Sequence, residues 1–155
     1  MKSASGGLYV VVLSLRRAVA LRVGAMGRIV FAPGAYVYVG SAAGGVERRV
    51  ARHKAVSGKK LRWHIDYLRA RASWVGALMF PNDGGECLLA QKAAGAVGGA
   101  AWPARFGASD CRCEGHLIAA EATPDKAMTA LMAMGGAMLA PGKTDFTSGG
   151  LRRQW

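Results

Sequence analysis

The chain has 155 residues, which suits one domain, and 52% of them are hydrophobic, which excludes a disordered polymer. Lysine and arginine number 21 against 9 acidic residues, so the formal net charge is +12. Such a charge indicates a polyanionic partner, which could be DNA, RNA or an anionic membrane surface; the alternative is the arginine bias of a GC-rich genome. No apolar run reaches the ~18 residues that cross a bilayer, so we expect no membrane partner.

Period-two alternation of β-branched and aromatic residues predicts strands in the N-terminal part of the chain. They are expected at 7–15, 20–23, 28–31 and 35–40, in a small antiparallel meander. The first run faintly resembles a signal peptide, but Arg16 and Arg17 interrupt it and its alternation is typical of a strand.

Helical spacing follows from residue 46 onward. Val46, Val50 and His53 share one face of a strongly basic helix at 46–55, because they lie at i, i+4 and i+7. Thr123 as N-cap and a proline after it predict the start of a later helix. The remaining predicted elements are helices at 62–70, 86–94 and 124–134, strands at 73–79 and 116–122, and a loop at 102–113.

These elements predict an α+β fold in one domain over 1–139. Its small, mainly antiparallel three-stranded sheet is flanked by helices and followed by an extra C-terminal strand and helix. Residues 140–155 are polar and glycine-rich, and we expect a flexible tail there. Three cysteines, two of them only two positions apart, form a poor disulfide framework, so a cytoplasmic protein is expected.

Five residues are candidates for chemistry. Tyr9 and Tyr38 each stand near glycine on a predicted strand, although a strand tyrosine usually serves packing. Arg49 and His53 share a helix face, where an arginine can grip a phosphate; the alternative is a solvated basic face. Glu86 could hold Mg²⁺ with bound waters, or could merely complement a helix dipole.

The order of these motifs resembles a known family. Gly-Leu-Tyr at 7–9, Tyr-Val-Gly-Ser-Ala at 38–42, Val-Glu-Arg-Arg-Val-Ala-Arg-His at 46–53 and the later Glu86 are similar to the GIY-YIG nuclease superfamily. Segments 33–42, 63–68 and 106–113, with His116-Leu117, resemble its DUF123 branch, which occurs alone or appended to endonuclease III-like proteins.

The resemblance implies a GIY-YIG-like fold and a metal-dependent endonuclease, a hydrolase of phosphodiester bonds in nucleic acid, with DNA favoured and repair or processing as its setting. Tyr9 and Tyr38 would include the general base, Arg49 rather than Arg48 would stabilise the transition state, and His53 would assist. Glu86 would bind one Mg²⁺ or Mn²⁺.

Substrate contacts are expected from residues around these positions. They are Ser41, Arg48, Arg52, Lys59, Lys60, Trp63 and His64. Trp63 could stack on a base or pack in the core. His64 and Asp66 could be catalytic helpers, but structural or substrate-positioning roles are favoured. We expect low sequence specificity, or targeting by a partner such as a repair protein.

Two alternatives remain open at this point. A non-catalytic nucleic-acid-binding module on the same fold would keep the basic face without the chemistry. A zinc site could form from Cys87, Cys111, Cys113 and His116, and would then support a protein-interaction domain. Without zinc, the thiols would be small buried hydrophobic groups.

Overall fold

The computed structural model describes residues 7–56, 60–108 and 114–139, and the predicted tail at 140–155 lies outside them. The strands are β1 Gly7–Leu15, β2 Val19–Arg22, β3 Arg28–Phe31, β4 Gly34–Ala42, β5 Ser73–Phe80, β6 Gly99–Ala101, β7 Leu117–Ala120 and β8 Ala137–Met138. The α-helices are α1 Val46–Lys54, α2 His64–Arg69, α3 Gly85–Val97 and α4 Pro124–Ala133. Within this part of the chain, no helix combines the length and apolar character needed to cross a bilayer.

The main sheet is antiparallel, with strand order β6-β7-β4-β1-β5-β8, and helices flank it. The predicted α+β class is therefore confirmed. The predicted C-terminal strand and helix are also present, as β7 and α4. The sheet has six strands instead of the predicted three. The short outer strands β6 and β8 consist of Gly, Ala and Met, which give no β-branched signal in the sequence.

The predicted meander of the first 40 residues is wrong. β1 pairs with β4 along its whole length, from Gly7 opposite Ala42 to Leu15 opposite Gly34. The intervening β2 and β3 pair only with each other, in a separate two-stranded ribbon. Both faces of β1 and β4 are buried, so these two strands occupy the centre, whereas β2 and β3 have only one sheltered face.

The sheet separates two buried clusters, because successive side chains of β1 point to opposite faces. Tyr9, Val11 and Leu13 pack on the face that also holds α1, α2 and the ribbon. Leu8, Val10 and Val12 pack on the face that holds α3 and α4. The site described below lies on the first face, at the end of the sheet where β1 begins and β4 ends.

Candidate active site

Tyr9 lies across the backbone of the neighbouring strand. Its register partner on β4 is Gly40, and its side chain is almost fully buried, with a residue exposure of 2%. A Cβ atom on Gly40 would collide with the Tyr9 ring and hydroxyl group. The glycine that follows Tyr38-Val39 is therefore required by the phenol on β1.

His53 joins the two tyrosines that the sequence selected. The helix face predicted from Val46, Val50 and His53 is the buried face of α1. The Tyr9 hydroxyl lies 2.7 Å from His53 Nε2, and the Tyr38 ring meets the same imidazole edge-on at a centroid distance of 5.7 Å.

Burial controls the ionisation of both phenols. It raises the pKa of Tyr9 from 10.0 to about 12, although the nearby Arg49 charge acts in the opposite direction. Burial is also the main cause that raises the pKa of Tyr38, followed by the repulsive charges of Tyr9 and Glu86. Both side chains are therefore neutral at physiological pH, and each phenol can donate a hydrogen bond.

Glu86 stands at the second position of α3, after the Gly84-Gly85 turn. One carboxylate oxygen accepts a hydrogen bond from the Ser41 hydroxyl at the end of β4, and the other lies 3.1 Å from His116 Nδ1. The hydrogen bond from His116 is the main cause that lowers the pKa of Glu86; burial opposes it, and Ser41 adds to it. Glu86 is therefore an ionised carboxylate at neutral pH.

Arg49 connects α1 to this carboxylate. Its Nη1 donates to the Ser41 backbone oxygen at 3.1 Å, so the guanidinium lies against the residue whose hydroxyl group binds Glu86. The Tyr9–His53 pair belongs to the same group, because the Arg49 charge lowers the pKa of Tyr9 and the Glu86 charge raises it. β1, β4, α1 and α3 thus each bring a chemically active side chain to one end of the sheet.

A cationic recess of about 200 Å³ opens beside Arg49. Its lining consists of Ala42, Gly44, Gly45, Arg48, Arg49 and Arg52. Three arginines line this cavity together with small residues, so it has room for a phosphate group and a positive charge that attracts one.

The family model for the domain of unknown function DUF123 matches residues 8–137, from the second residue of β1 into β8. The chain belongs to the DUF123 family. Tyr9, Arg49, Glu86 and His116 all lie within the matched region. Neither a curated protein nor a solved structure matches the chain.

Arg52 of this DUF123 domain forms its contacts with other residues of the protein. Its guanidinium forms a paired contact with Asp66, at 3.0 and 3.2 Å, and donates to the Lys60 backbone oxygen. The buried Asp66 also accepts the backbone N–H groups of Arg62 and Trp63, so it caps α2 and fixes α1 to it. Asp66 therefore has the structural role that the sequence left open.

Trp63 supports the arginines of the recess. The guanidinium carbons of Arg49 and Arg52 each lie 4.6 Å from the centre of its ring, and His53 packs edge-on against it. Such cation–π contacts contribute about 0.5–1 kcal/mol each at exposed sites. The expectation that Trp63 contacts substrate stays a prediction; its ring contacts Arg49, Arg52 and His53 of the basic helix and packs against the buried cluster.

His64 holds the loop that covers Tyr38. Its Nδ1 accepts the Gly107 backbone N–H at 2.8 Å, and Gly107 lies against the Tyr38 ring. Burial lowers the pKa of His64, which agrees with a neutral ring that accepts this hydrogen bond. Of the other predicted substrate contacts, Arg48 and Lys60 are exposed, and Lys59 lies outside the described residues.

Two of the four predicted zinc ligands come together. Cys87 Sγ lies 3.6 Å from His116 Nε2, whereas Cys111 and Cys113 lie outside the described residues. Within 7–56, 60–108 and 114–139, no three His, Cys, Asp or Glu side chains are grouped so that they could hold a metal ion. The contact of His116 with Glu86 has no counterpart in the sequence analysis, because no motif links positions so far apart.

Proposed function

We propose that this DUF123 domain is a GIY-YIG-type endonuclease that hydrolyses phosphodiester bonds of nucleic acid, with DNA as the favoured substrate. The observation that carries the proposal is the convergence of Arg49, Glu86 and the Tyr9–His53 pair beside a cationic recess. A phosphate in that recess would lie against Arg49, which also contacts the residue that binds Glu86.

Glu86 fits the magnesium or manganese ion that this activity implies. Mg²⁺ in nucleotide and phosphate sites is commonly held by one or two carboxylates together with waters and substrate phosphates. Glu86 is ionised, its side chain is 32% exposed, and each carboxylate oxygen keeps a lone pair beyond its contact with Ser41 or His116. A divalent ion bound there would polarise the phosphate and stabilise the leaving oxygen.

The protein side chains have separate roles in this proposal. Arg49 places a fixed positive charge where the pentavalent transition state gains negative charge. Tyr9 orients the attacking water, and any proton that the phenol oxygen takes up is balanced by transfer of its own proton to His53 Nε2, 2.7 Å away. The relay suits a phenol with a raised pKa, because Tyr9 never has to persist as a phenolate.

A non-catalytic nucleic-acid-binding module is the second candidate. The neutral, buried state of Tyr9 and Tyr38 favours it, since phenols with raised pKa values supply almost no phenolate at neutral pH to act as a general base. In that case the recess would bind phosphate and no bond would be cleaved.

Cleavage assays separate these candidates. Purified protein is incubated with Mg²⁺ or Mn²⁺ and with duplex, single-stranded, branched and RNA substrates, beside the variants Glu86→Gln and Glu121→Gln. Glu121 is exposed and directly follows Ala120, which pairs with Ala35 at the end of β4 opposite Ser41, so its variant removes the same charge away from the site.

We expect at least one substrate to be cut in a metal-dependent reaction. Glu86→Gln should lower the rate by ~10²–10³ or more while binding persists, and Glu121→Gln should leave the rate unchanged. Binding without cleavage of any of the four substrate classes would replace the nuclease proposal with the binding module.

A further inference from the structure

The ribbon of β2 and β3 presents one face to the core and one to solvent. Leu21 and Ile29 pair across the ribbon and pack against the buried cluster that contains Tyr9. Their neighbours Arg22 and Arg28 also pair, and both are exposed. The alternation of a strand thus places two arginines side by side on the outer face.

This arrangement has an electrostatic cost within the protein. Like charges directly opposite each other on neighbouring strands destabilise the pair. The sequence contains no acidic residue before Glu47, and Arg16 and Arg17, just before the ribbon, are exposed as well. Among the described residues, no carboxylate forms an ion pair with these four arginines. An external anion would offset the repulsion.

The ribbon and the recess lie on the same side of the sheet. Phe31 at the end of the ribbon, Val50 of α1 and Tyr9 belong to one buried cluster, so the ribbon and α1 both cover that face. Along β1, the six residue-to-residue steps from Tyr9 to Leu15 span about 20 Å. Two cationic surfaces therefore lie on one face of the molecule, and the ribbon leaves the main sheet at the end of β1 that is opposite the recess.

The opposite face does not carry this charge. α3 contains one acidic and one basic residue, Glu86 and Lys92, and α4 likewise contains Asp125 and Lys126. α1 alone carries four basic residues, Arg48, Arg49, Arg52 and Lys54, against Glu47. A genome-wide arginine bias would enrich both faces of the sheet in basic residues. Because the excess of basic residues lies on the face of α1 and the ribbon, it points to a polyanion that binds this face.

We infer that the outer face of the ribbon is a second backbone contact for double-stranded nucleic acid, in which Arg22 and Arg28 bind phosphates other than the one in the recess. The inference rests on the proposed function to the extent that the same nucleic acid enters the recess. A duplex is the partner because its phosphates keep fixed spacings, which two rigidly connected cationic surfaces can match.

The test measures binding to a 20-base-pair duplex by fluorescence anisotropy over a salt series, with EDTA present so that no cleavage occurs. The variant is Arg22→Ala/Arg28→Ala. The matched control is Lys92→Ala/Lys126→Ala, which removes two exposed charges from the opposite face. Arg22→Lys/Arg28→Lys keeps the charge and reports whether loss of the guanidinium alone disturbs the ribbon.

We expect the alanine ribbon variant to bind more weakly and to reduce the slope of log K against log salt by about 2, because each phosphate contact contributes about 0.9. The control and the lysine variant should keep the slope of the wild type. An unchanged slope and affinity in the alanine variant would overturn the inference. An equal loss on a 20-nucleotide single strand would overturn the assignment to duplex.

A parallel cleavage assay with Mg²⁺ keeps the two proposals apart. Ribbon-dependent duplex binding by a wild type that cuts nothing would remove the nuclease proposal alone. Cleavage by the wild type, together with wild-type duplex binding by the alanine ribbon variant, would remove the ribbon contact alone.

Discussion

Tyr9 combines two properties that oppose each other in a catalytic phenol. Its hydroxyl group lies within hydrogen-bond distance of His53, yet burial raises its pKa to about 12, so a free phenolate is costly. Arg49 and Tyr9 are close enough to influence each other, and a phosphate that drew Arg49 away would raise the pKa further. We therefore propose a proton relay through His53 for Tyr9, because it avoids a free phenolate.

The raised pKa of Tyr9 gives a pH dependence of stability with a definite sign. Below pH 10 the phenol is neutral in both folded and unfolded chains. Between pH 10.0 and about 12 the unfolded chain loses this proton first, so the free energy of unfolding falls as pH rises. Two pKa units correspond to about 2.7 kcal/mol as an upper limit.

Urea unfolding of wild type and Tyr9→Phe at pH 8, 10 and 11 checks this effect. At pH 8 the wild type should be more stable by about 1 kcal/mol, because the variant lacks the hydrogen bond to His53. The advantage should shrink at pH 11, since only the wild type has the Tyr9 proton to lose. A stability difference between the two proteins that stays constant with pH would show that Tyr9 ionises equally easily in the folded and unfolded chains. The ionisation of Tyr36 and Tyr38 occurs in both proteins, so it does not contribute to this difference.

The antiparallel pair of β1 and β4 positions the Tyr9 phenol, and Gly40 is the critical residue of this pair. Gly40→Ala should displace the Tyr9 ring, because the new Cβ atom would collide with it. We expect a loss of about 1–3 kcal/mol in unfolding free energy, as for other overpacked sites, together with loss of cleavage.

Gly95→Ala is the matched control for that substitution. Gly95 is exposed on α3, and nothing lies within 4 Å of an added Cβ atom, so the helix should gain stability by roughly 0.5–1 kcal/mol. Thermal and urea unfolding measure both effects. Equal stability of the two variants would contradict the packing of Tyr9 on Gly40.

How far each element could be predicted depends on whether its signal is local. The buried face of α1 follows from the spacing of Val46, Val50 and His53, and it is confirmed. Thr123 indeed caps α4, with its hydroxyl oxygen accepting the Lys126 N–H. The partner of β1 is not a local property: the four N-terminal strands gave similar patterns, and only tertiary packing selected β4 over β2.

The residues of the candidate site likewise differ in whether a local sequence signal marks them. Tyr9, Tyr38, Arg49 and Glu86 were selected because ordered motifs mark them in the sequence. The contact between His116 and Glu86 depends on the approach of β7 to the start of α3, which no spacing along the chain encodes. Asp66 was noticed, but its bond to Arg52 became visible only when α1 and α2 were placed side by side.

For the whole molecule, the sheet separates two layers of different charge. The layer of α1, α2 and the ribbon carries the arginines of the recess and of the ribbon, while α3 and α4 have a small net charge. Glu86 belongs to α3 but reaches Ser41 at the end of β4. The net charge of +12 predicted a polyanionic partner without indicating the face that would bind it.

The central claim, that Arg49 and Glu86 act on one phosphate in one site, is tested most directly by single-turnover cleavage of the best substrate. The proteins compared are wild type, Arg49→Lys, Glu86→Gln and the double variant. Each single variant should lose ~10²–10³ in rate, and the double variant should be no more than about tenfold slower than the worse single variant, because residues of one catalytic unit are not additive. A double variant whose loss equals the product of the two single losses, or a single variant that cuts at the wild-type rate, would contradict the account.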